Sequence, residues 1–268
     1  MNGRLEYKFL VPNSQLNLLR QDILPYVDVD PYVKALDSLH YTVRSIYCDT
    51  LRRDCYGDKI EGLRVRKKFR VRGYNEVNDS SPLFLEIKRK YINAISKNRA
   101  PIRQHDLHQF LCSGDSDKYT ISLSNNGKEK RDAQRFLYHY YSQRLAPTIL
   151  IVYEREAFFC KFDRSLRITF DKYLRSRPTC TFDGLFSETD MRSAYSGYFV
   201  LEVKFGGRLP SWLQNVLKNN RAVRLALSKY TICLDSHKRY ANSSLPMNIR
   251  SINLDLKSNR VLERETNV

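Results

Sequence analysis

Residues 61–72 alternate basic and largely apolar positions with a period of two. This alternation predicts an extended strand, because successive side chains of a strand point to opposite faces. The basic face carries Arg64, Arg66, Lys68, Arg70 and Arg72. Like charges along one face repel each other, so an anionic partner is expected opposite them. An edge strand charged against aggregation would show the same pattern, so this strand alone leaves both interpretations open.

The same alternation recurs along the chain and predicts further strands. They are expected at residues 4–11, 41–49, 83–90, 149–158, 166–173 and 198–205, with a hairpin loop at 75–82. Helical periodicity predicts amphipathic helices at 15–24, 103–112 and 129–144 and one beginning near Pro210, which 221–227 either continues or follows as a second short helix. Strands and helices in this arrangement indicate the α+β class.

Three of the predicted strands carry a Glu-x-Lys pair on one face, opposite apolar side chains. The pairs are Glu6 with Lys8, Glu86 with Lys88, and Glu202 with Lys204. In a sandwich whose polar face meets water, these would be ordinary cross-strand ion pairs. The alternative is a closed antiparallel barrel with the charged faces inside and the apolar faces covered by the amphipathic helices.

Two observations favour the barrel with a basic interior. Helices with apolar stripes need an apolar sheet face to cover. Carboxylates recur among the bases, where a groove for nucleic acid would gain nothing from them. Carboxylates beside lysine and arginine suit a site that holds metal-bound phosphates.

Composition indicates the number of domains, the classes of partner and the cellular location of the chain. The 268 residues are 42% hydrophobic, enough for a sizeable core, and predict a single domain over residues 1–241 followed by a polar tail, 242–268. The net charge of +17 favours nucleic acid, acidic membranes or phosphate-rich molecules as partners. The sequence has six scattered cysteines without a C-x-x-C pair and no apolar signal core, which predicts a cytoplasmic chain. It has no apolar run long enough to span a bilayer, so no direct membrane span is expected.

Eight motifs, taken together and in this order, resemble the polyphosphate polymerase domain of the vacuolar transporter chaperone (VTC) family, within the triphosphate tunnel superfamily. The motifs are Glu6-Tyr-Lys8, Arg44 to Asp49, Leu63 to Arg66, Glu86-Ile-Lys88, Tyr153 to Arg155, Arg167 to Asp171, Leu201 to Lys204 and Ser228 to Tyr230, spanning roughly residues 4–235. A single Glu-x-Lys is a weak signal, whereas this many motifs in one order are specific.

The resemblance implies a closed tunnel of eight antiparallel strands in which Mn²⁺ or Mg²⁺ assists transfer of the terminal phosphate of ATP to a growing inorganic polyphosphate chain. The phosphate-binding, catalytic set implied is Lys8, Arg64, Arg66, Lys88, Arg155, Arg167 and Lys229, with Glu202 as the metal carboxylate. Further substrate-binding candidates are Lys90, Lys204, Lys68, Glu6 and Glu86. Within the basic strand, Arg64 and Arg66 are expected to be the functional pair, with Arg70 and Arg72 at the tunnel mouth or in solvent.

Fungal members of the family carry a phosphate-sensing domain before the tunnel and a membrane segment after it, and this sequence is expected to lack both. Any association with a membrane is therefore expected through a partner membrane protein. Bases predominate over glutamates, which favours long polyphosphate over short triphosphates.

Two other functions fit the same features. One is a metal-dependent triphosphatase acting on inorganic triphosphate, a nucleotide or an RNA 5′ end, and the other is a non-catalytic module that binds polyphosphate. A covalent nucleotidyl transferase is disfavoured, because Thr181 stands before Asp183-Gly184 where that motif needs a lysine. Direct binding of nucleic acid is not expected.

Overall fold

The computed structural model describes residues 5–36, 38–76, 81–92 and 94–238. The strands are β1 (Leu5–Pro12), β2 (Val27–Val29), β3 (Tyr41–Asp49), β4 (Val65–Tyr74), β5 (Pro82–Tyr91), β6 (Ala94–Arg103), β7 (Ala146–Cys160), β8 (Arg167–Pro178), β9 (Arg192–Ser193) and β10 (Tyr198–Phe205). The α-helices are α1 (Leu16–Ile23), α2 (Pro31–Lys34), α3 (Asp54–Ile60), α4 (Leu107–Ser113), α5 (Ser116–Tyr119), α6 (Lys128–Ser142), α7 (Ser211–Asn219) and α8 (Lys229–Lys238). The polar tail predicted at 242–268 lies outside the described residues, so the predicted domain boundary stays a prediction.

The strands form one antiparallel sheet in the order β1-β10-β8-β7-β3-β4-β5-β6, with β2 added beside β7 and β9 beside β8. The sheet curls until Lys88 on β5 reaches Glu6 on β1, with 3.0 Å between Nζ and Oε2. The predicted α+β class and antiparallel strands are confirmed. Closure into an eight-stranded barrel is not: in the described residues the ladder is open, with β1 and β6 as its edges. The contact between Glu6 and Lys88 joins β1 to β5 through side chains.

Helices cover the outer, apolar face of the curled sheet in two clusters. Residues of β4 and β5, such as Phe69 and Ile87, are buried with Phe110 of α4 and Phe136 of α6. The face formed by β1, β8 and β10 is buried in a second cluster with Leu19 and Ile23 of α1 and Leu213 of α7. Because the apolar side chains take the outer face, the alternating polar ones point into the curl. None of the helices in the described part of the chain is long and apolar enough to span a bilayer.

Strand β6 was not predicted, because polar residues occupy both of its faces in the run Ser96-Lys97-Asn98-Arg99 and hide the period of two. Its pairing with β5 places Arg99 opposite Glu86 and Lys97 opposite Lys88. The strand therefore adds two bases to the inner face that sequence periodicity did not reveal.

Two other segments also differ from prediction. The connection before the basic strand contains α3, so that β4 begins only at Val65 and not at residue 61. The helix suggested for 221–227 is wrong: Arg221 adopts a φ of 45°, which ends the preceding helix, and the segment forms an isolated bridge from Arg224 to Phe9.

Candidate functional site

Three adjoining cavities follow the inner face of the sheet. The largest, about 700 Å³, has aromatic side chains in its outer wall, and we call it the aromatic mouth: Tyr32, Tyr41, Tyr74 and Phe84. A central neck of about 80 Å³ shares Arg70, Arg72, Lys88, Arg155 and Lys204 with it. The third cavity, about 310 Å³, is the basic mouth, named for Lys59, Arg66, Lys90 and Arg224, and shares Lys8, Lys68, Lys88 and Ser228 with the neck. Together they form a passage with two different ends.

Glu86 is the centre of the first charge cluster on this face. It is 1% exposed and lies between Arg70 of β4 and Arg99 of β6, which face it in the strand register. Arg70 donates to it over 2.7 Å from Nε, and Lys97 forms a further ion pair. Burial alone would raise the pKa of Glu86, but the charges of Arg70, Arg72 and Lys97 hold it well below its ordinary value. This carboxylate is fixed as an anion among bases.

A second cluster joins three strands to the start of α8. Arg155 holds Asp171 with two parallel hydrogen bonds, Nε to Oδ1 at 2.6 Å and Nη2 to Oδ2 at 2.7 Å. Lys229 contacts Asp171 at 2.5 Å and Glu202 at 2.7 Å. Burial opposes ionisation of Glu202, yet the charge of Lys229, with those of Lys8 and Lys204, lowers its pKa well below the ordinary value. Paired on both sides, Lys229 and Arg155 are held in one geometry.

Glu6 forms the third cluster, at the gap between the sheet edges. Its contacts are to Lys8 at 3.1 Å, Lys88 at 3.0 Å and Lys204 at 3.9 Å. Burial would raise the pKa of Glu6, but these three lysines lower it. Glu6 thus pairs with Lys8 in its own strand and with Lys88 and Lys204 across strands, facing the passage and not bulk water. The cross-strand pairs that one interpretation predicted are therefore found for Glu6, whereas Glu86 pairs with Arg70 and Lys97.

Lys68 differs from the other bases of the neck. Its ammonium donates to Ser228 Oγ at 2.6 Å and, within the described residues, has no carboxylate in ion-pair contact. Burial and the charges of Lys8 and Lys88 lower its pKa well below the ordinary value. An anion placed here would remove that repulsion, so the neck is electrostatically incomplete without one.

Asp49 fixes the helix that brings Lys229 to the neck. Its carboxylate accepts hydrogen bonds from the backbone N–H groups of Cys55 and Tyr56 at the start of α3. It also accepts one from the hydroxyl of Tyr230 at 2.5 Å, and that ring stacks on Tyr47. The first turn of α8, and with it Lys229, is therefore anchored to β3 and α3.

Most of the predicted site residues meet along the passage. Those that line the neck are Lys8, Lys68, Lys88, Arg155, Glu202, Lys204 and Lys229. Arg66 and Lys90 line the basic mouth, and Glu6 lies between the two mouths. Arg167 lines the aromatic mouth, where it donates to Asp30 at 2.8 Å. Glu86 is buried behind this lining, among the bases that hold it.

Arg64 is brought to none of these three cavities. It precedes β4, its side chain is exposed, and its carbonyl accepts a hydrogen bond from Ile92. Arg70 and Arg72 do not lie in solvent, since Arg72 is 5% exposed. Both line the aromatic mouth, where one was expected for them, and both also line the neck. Strand β4 begins at Val65, after the basic pattern has already begun. The residues of this pattern that line the neck are therefore those of its second half, Lys68, Arg70 and Arg72.

Sequence reasoning missed several residues of this site. Lys97 and Arg99 lie on the unpredicted β6, and Asp171 follows Arg167 at the alternating spacing of β8 that could have indicated it. Tyr47 and Tyr153 also line the neck, where they accept hydrogen bonds from Arg70 and Arg72. Aromatic residues in a strand are as common in a core, so their position gave no signal.

The carboxylates of the passage could hold a metal ion only if substrate phosphate supplied the remaining ligands. Among the described residues, no group of three or more histidine, cysteine, aspartate or glutamate side chains could hold a metal ion. Glu6 and Glu202 lie side by side, since both contact Lys8 and Lys204. Mg²⁺ is commonly held by one or two carboxylates together with substrate phosphates. Glu6 and Glu202 could supply two such carboxylates, and the metal role of Glu202 stays a prediction.

Comparison with solved structures finds matches at low sequence identity. HpAC1 from Hippeastrum, described as having a dominant triphosphatase activity, is 11% identical, with 87% of this chain and 96% of that chain covered and a TM-score of 0.48. A chain of the Schizosaccharomyces pombe Mediator head module is 8% identical, with 83% and 99% covered and a TM-score of 0.40. The Mimivirus capping enzyme triphosphatase is 8% identical, with 81% and 88% covered and a TM-score of 0.30.

A search of curated protein sequences finds no match. The family profile described as the VTC domain matches residues 3–238, which include every strand and helix described above. The predicted family is thereby confirmed, and the chain belongs to the VTC domain family.

Proposed function

We propose that this domain is a polyphosphate polymerase that transfers the terminal phosphate of ATP to a growing inorganic polyphosphate chain. The observation that carries the proposal is a passage along the inner sheet face whose bases outnumber its carboxylates from one mouth to the other. A bare phosphate chain has a negative charge on every unit and no other recognition feature, so a continuous run of bases suits it. Membership of the VTC domain family supports the same conclusion.

Transfer would take place in the neck. Phosphoryl transfer asks the protein mainly to align the reactants and to neutralise charge on the phosphate oxygens. Arg70 and Arg72 offer forked guanidinium groups there, and Lys68 and Lys88 offer compact charges. Because the attacking group is itself a phosphate oxygen of the acceptor chain, no side-chain nucleophile is required.

Arg155 and Lys229 would act as fixed contacts of the same site. Their pairing with Asp171 and Glu202 settles their positions before substrate arrives, which lowers the ordering needed on binding. Glu202 and Glu6 would hold Mn²⁺ or Mg²⁺ together with substrate phosphates, and the ion would supply further positive charge. The product chain would leave by the basic mouth, where Lys59, Arg66, Lys90 and Arg224 continue the charge of the neck.

The deciding experiment is incubation of the purified protein with ATP and Mn²⁺, followed by gel electrophoresis. A ladder of polyphosphate with release of ADP is expected. The variant Lys68→Gln is expected to lower the rate about 100-fold, the usual cost of losing one contact to developing charge. It should fold normally, because no described carboxylate is left without its partner. Lys67→Gln is the matched control, since the neighbouring residue points to the other face of β4.

A metal-dependent triphosphatase is the second candidate, favoured by the adjacent carboxylates Glu6 and Glu202, which could hold an ion that activates water. ADP and free phosphate without a ladder would support it and contradict the polymerase. Binding of polyphosphate without turnover would support a non-catalytic module. A cytoplasmic location and attachment to a membrane through a partner protein belong to the proposal as well.

A further inference from the structure

The outer wall of the aromatic mouth is a cluster of rings that phosphate chemistry does not use. The ring of Tyr41 meets those of Tyr32 and Tyr74 at centroid distances of 5.1 and 5.9 Å, and Tyr74 meets Phe84 at 5.8 Å. All four line the cavity of about 700 Å³. A passage meant only for phosphate would gain nothing from such a wall, since apolar rings offer no charge to an anion.

Tyr32 is the exposed member of this cluster. Its side chain is 47% exposed, whereas Tyr41 is buried behind it. Its backbone N–H donates to Asp30, which caps α2, and its hydroxyl accepts from Asn75 at 3.2 Å. The ring is thus held in place at the cavity wall with part of its surface free.

Arg99 provides a second flat surface in the same cavity. Its guanidinium lies 3.5 Å from the centroid of the Phe84 ring and donates to the hydroxyl of Tyr74 at 3.2 Å. A guanidinium stacked on one ring can stack on a second planar group on its other side. Tyr32 and Arg99 therefore offer two planar contacts within one cavity.

The inner end of the cavity is basic, in contrast to the aromatic outer wall. There Arg70, Arg72 and Arg155 line both this cavity and the neck. A ligand that fits both ends is flat and apolar at one end and anionic at the other, and the volume lies within the range of small-molecule sites. We propose that the aromatic mouth holds the nucleoside of the phosphate donor, with its triphosphate directed into the neck.

This inference rests on the proposed function in taking a nucleoside triphosphate as the donor. Stacking accepts any base, because every base has a planar face. The site therefore prefers a nucleotide over an inorganic triphosphate without selecting strongly among bases. It also gives the passage a direction, with the donor at the aromatic mouth and the chain at the basic one.

The test compares the binding of ATP and inorganic tripolyphosphate by titration calorimetry in metal-free buffer, where transfer does not occur. The wild-type protein is expected to bind ATP about tenfold more tightly. Tyr32→Ala should remove most of that preference and leave tripolyphosphate binding unchanged, whereas Tyr32→Phe should keep it. Tyr138→Ala, at a tyrosine 68% exposed on α6, is the control and should change neither constant.

Equal affinities of the wild-type protein for the two ligands would overturn the inference, as would an equal loss for both in Tyr32→Ala. The polymerase proposal is judged separately by the gel. A preference for ATP that Tyr32→Ala abolishes, without a ladder, would reject the polymerase and keep the nucleoside site. A ladder made by a protein without this preference would do the reverse.

Discussion

At the scale of single residues, Glu86 shows how position decides the role of a charge. The Glu-x-Lys pattern made it a candidate substrate contact, but its oxygens already face Arg70, Arg72, Lys97 and Arg99. A carboxylate so enclosed serves as the counter-ion that lets these bases lie close together. Its lowered pKa means that this stabilisation is complete above its ordinary pKa near 4.5 and is lost as the pH falls below it.

Lys97 should make phosphate binding depend on pH. Burial lowers its pKa to about 7, with Arg70 and Arg72 contributing and Glu86 opposing. As the pH rises through 7 the ammonium loses its proton, so the affinity for tripolyphosphate should fall by about threefold between pH 6 and 8 from this group. The dissociation constant measured across that range checks it.

The matched variant for this prediction is Lys97→Arg, since arginine keeps its charge throughout. It should remove the loss of affinity near pH 7 and leave the loss near pH 8, where burial places the pKa of Lys204. Lys130→Arg, at an ion pair on the surface of α6, is the control. A Lys97→Arg profile identical to that of the wild-type protein would contradict the prediction.

At the scale of elements, the sequence predicted those strands whose two faces differ. The limits predicted for β3 and β10 agree with the structure, because β3 ends at the polar Asp49 and β10 is followed by Gly206-Gly207. Strand β6 was missed because it is polar on both faces where it lines the passage. The alternation that identifies a strand is thus weakest where a strand serves the site.

The sequence predicted many of the residues that line the passage, but not where along the strands the neck lies. Period-two spacing placed Lys68, Arg70 and Arg72 on one face, which is confirmed, but spacing cannot say where along a strand a cavity lies. The position of the neck depends on where β4 begins after α3 and on α8, which reaches it from the far end of the described chain. Such long-range contacts leave no local pattern.

The anchoring of α8 predicts a stability effect. Tyr230→Phe removes the hydroxyl that donates to the buried Asp49 and keeps the ring that stacks on Tyr47. The free energy of unfolding should fall by about 1.5–3 kcal/mol, the usual contribution of a hydrogen bond to a charged group. Urea denaturation measures it, with Tyr138→Phe, an exposed tyrosine, as the control. A Tyr230→Phe protein as stable as its parent would show that Asp49 does not hold α8.

At the scale of the whole molecule, the net charge of +17 favours the binding of anionic chains. The two ends of the passage contribute differently to this binding. On the proposed function, a long polyphosphate that fills the neck would extend through the basic mouth, whereas tripolyphosphate would end before it. Arg224, whose guanidinium lies 3.6 Å from the centroid of the Tyr7 ring, lines that mouth. Its contacts should therefore matter only for long chains.

Arg224→Gln is accordingly expected to weaken long-chain binding about threefold and to reduce the slope of log Kd against log salt concentration by about one, as when one fewer counterion is released. Tripolyphosphate binding should not change. Arg208→Gln makes the same charge change at an exposed residue after β10 and is the control. An equal effect of Arg224→Gln on both ligands would place the long chain elsewhere.

The contact between Glu6 and Lys88 has a mechanical consequence. In a closed barrel, the number of strands and their stagger fix the diameter. Here β1 meets β5 through the side chains of Glu6 and Lys88, which can change rotamer or exchange partners without breaking a backbone hydrogen bond. We therefore expect the neck to be wider when the proposed polyphosphate substrate fills it than it is in this structure. The volume of about 80 Å³ describes the neck as it stands in this structure and sets no upper limit on the size of a bound chain.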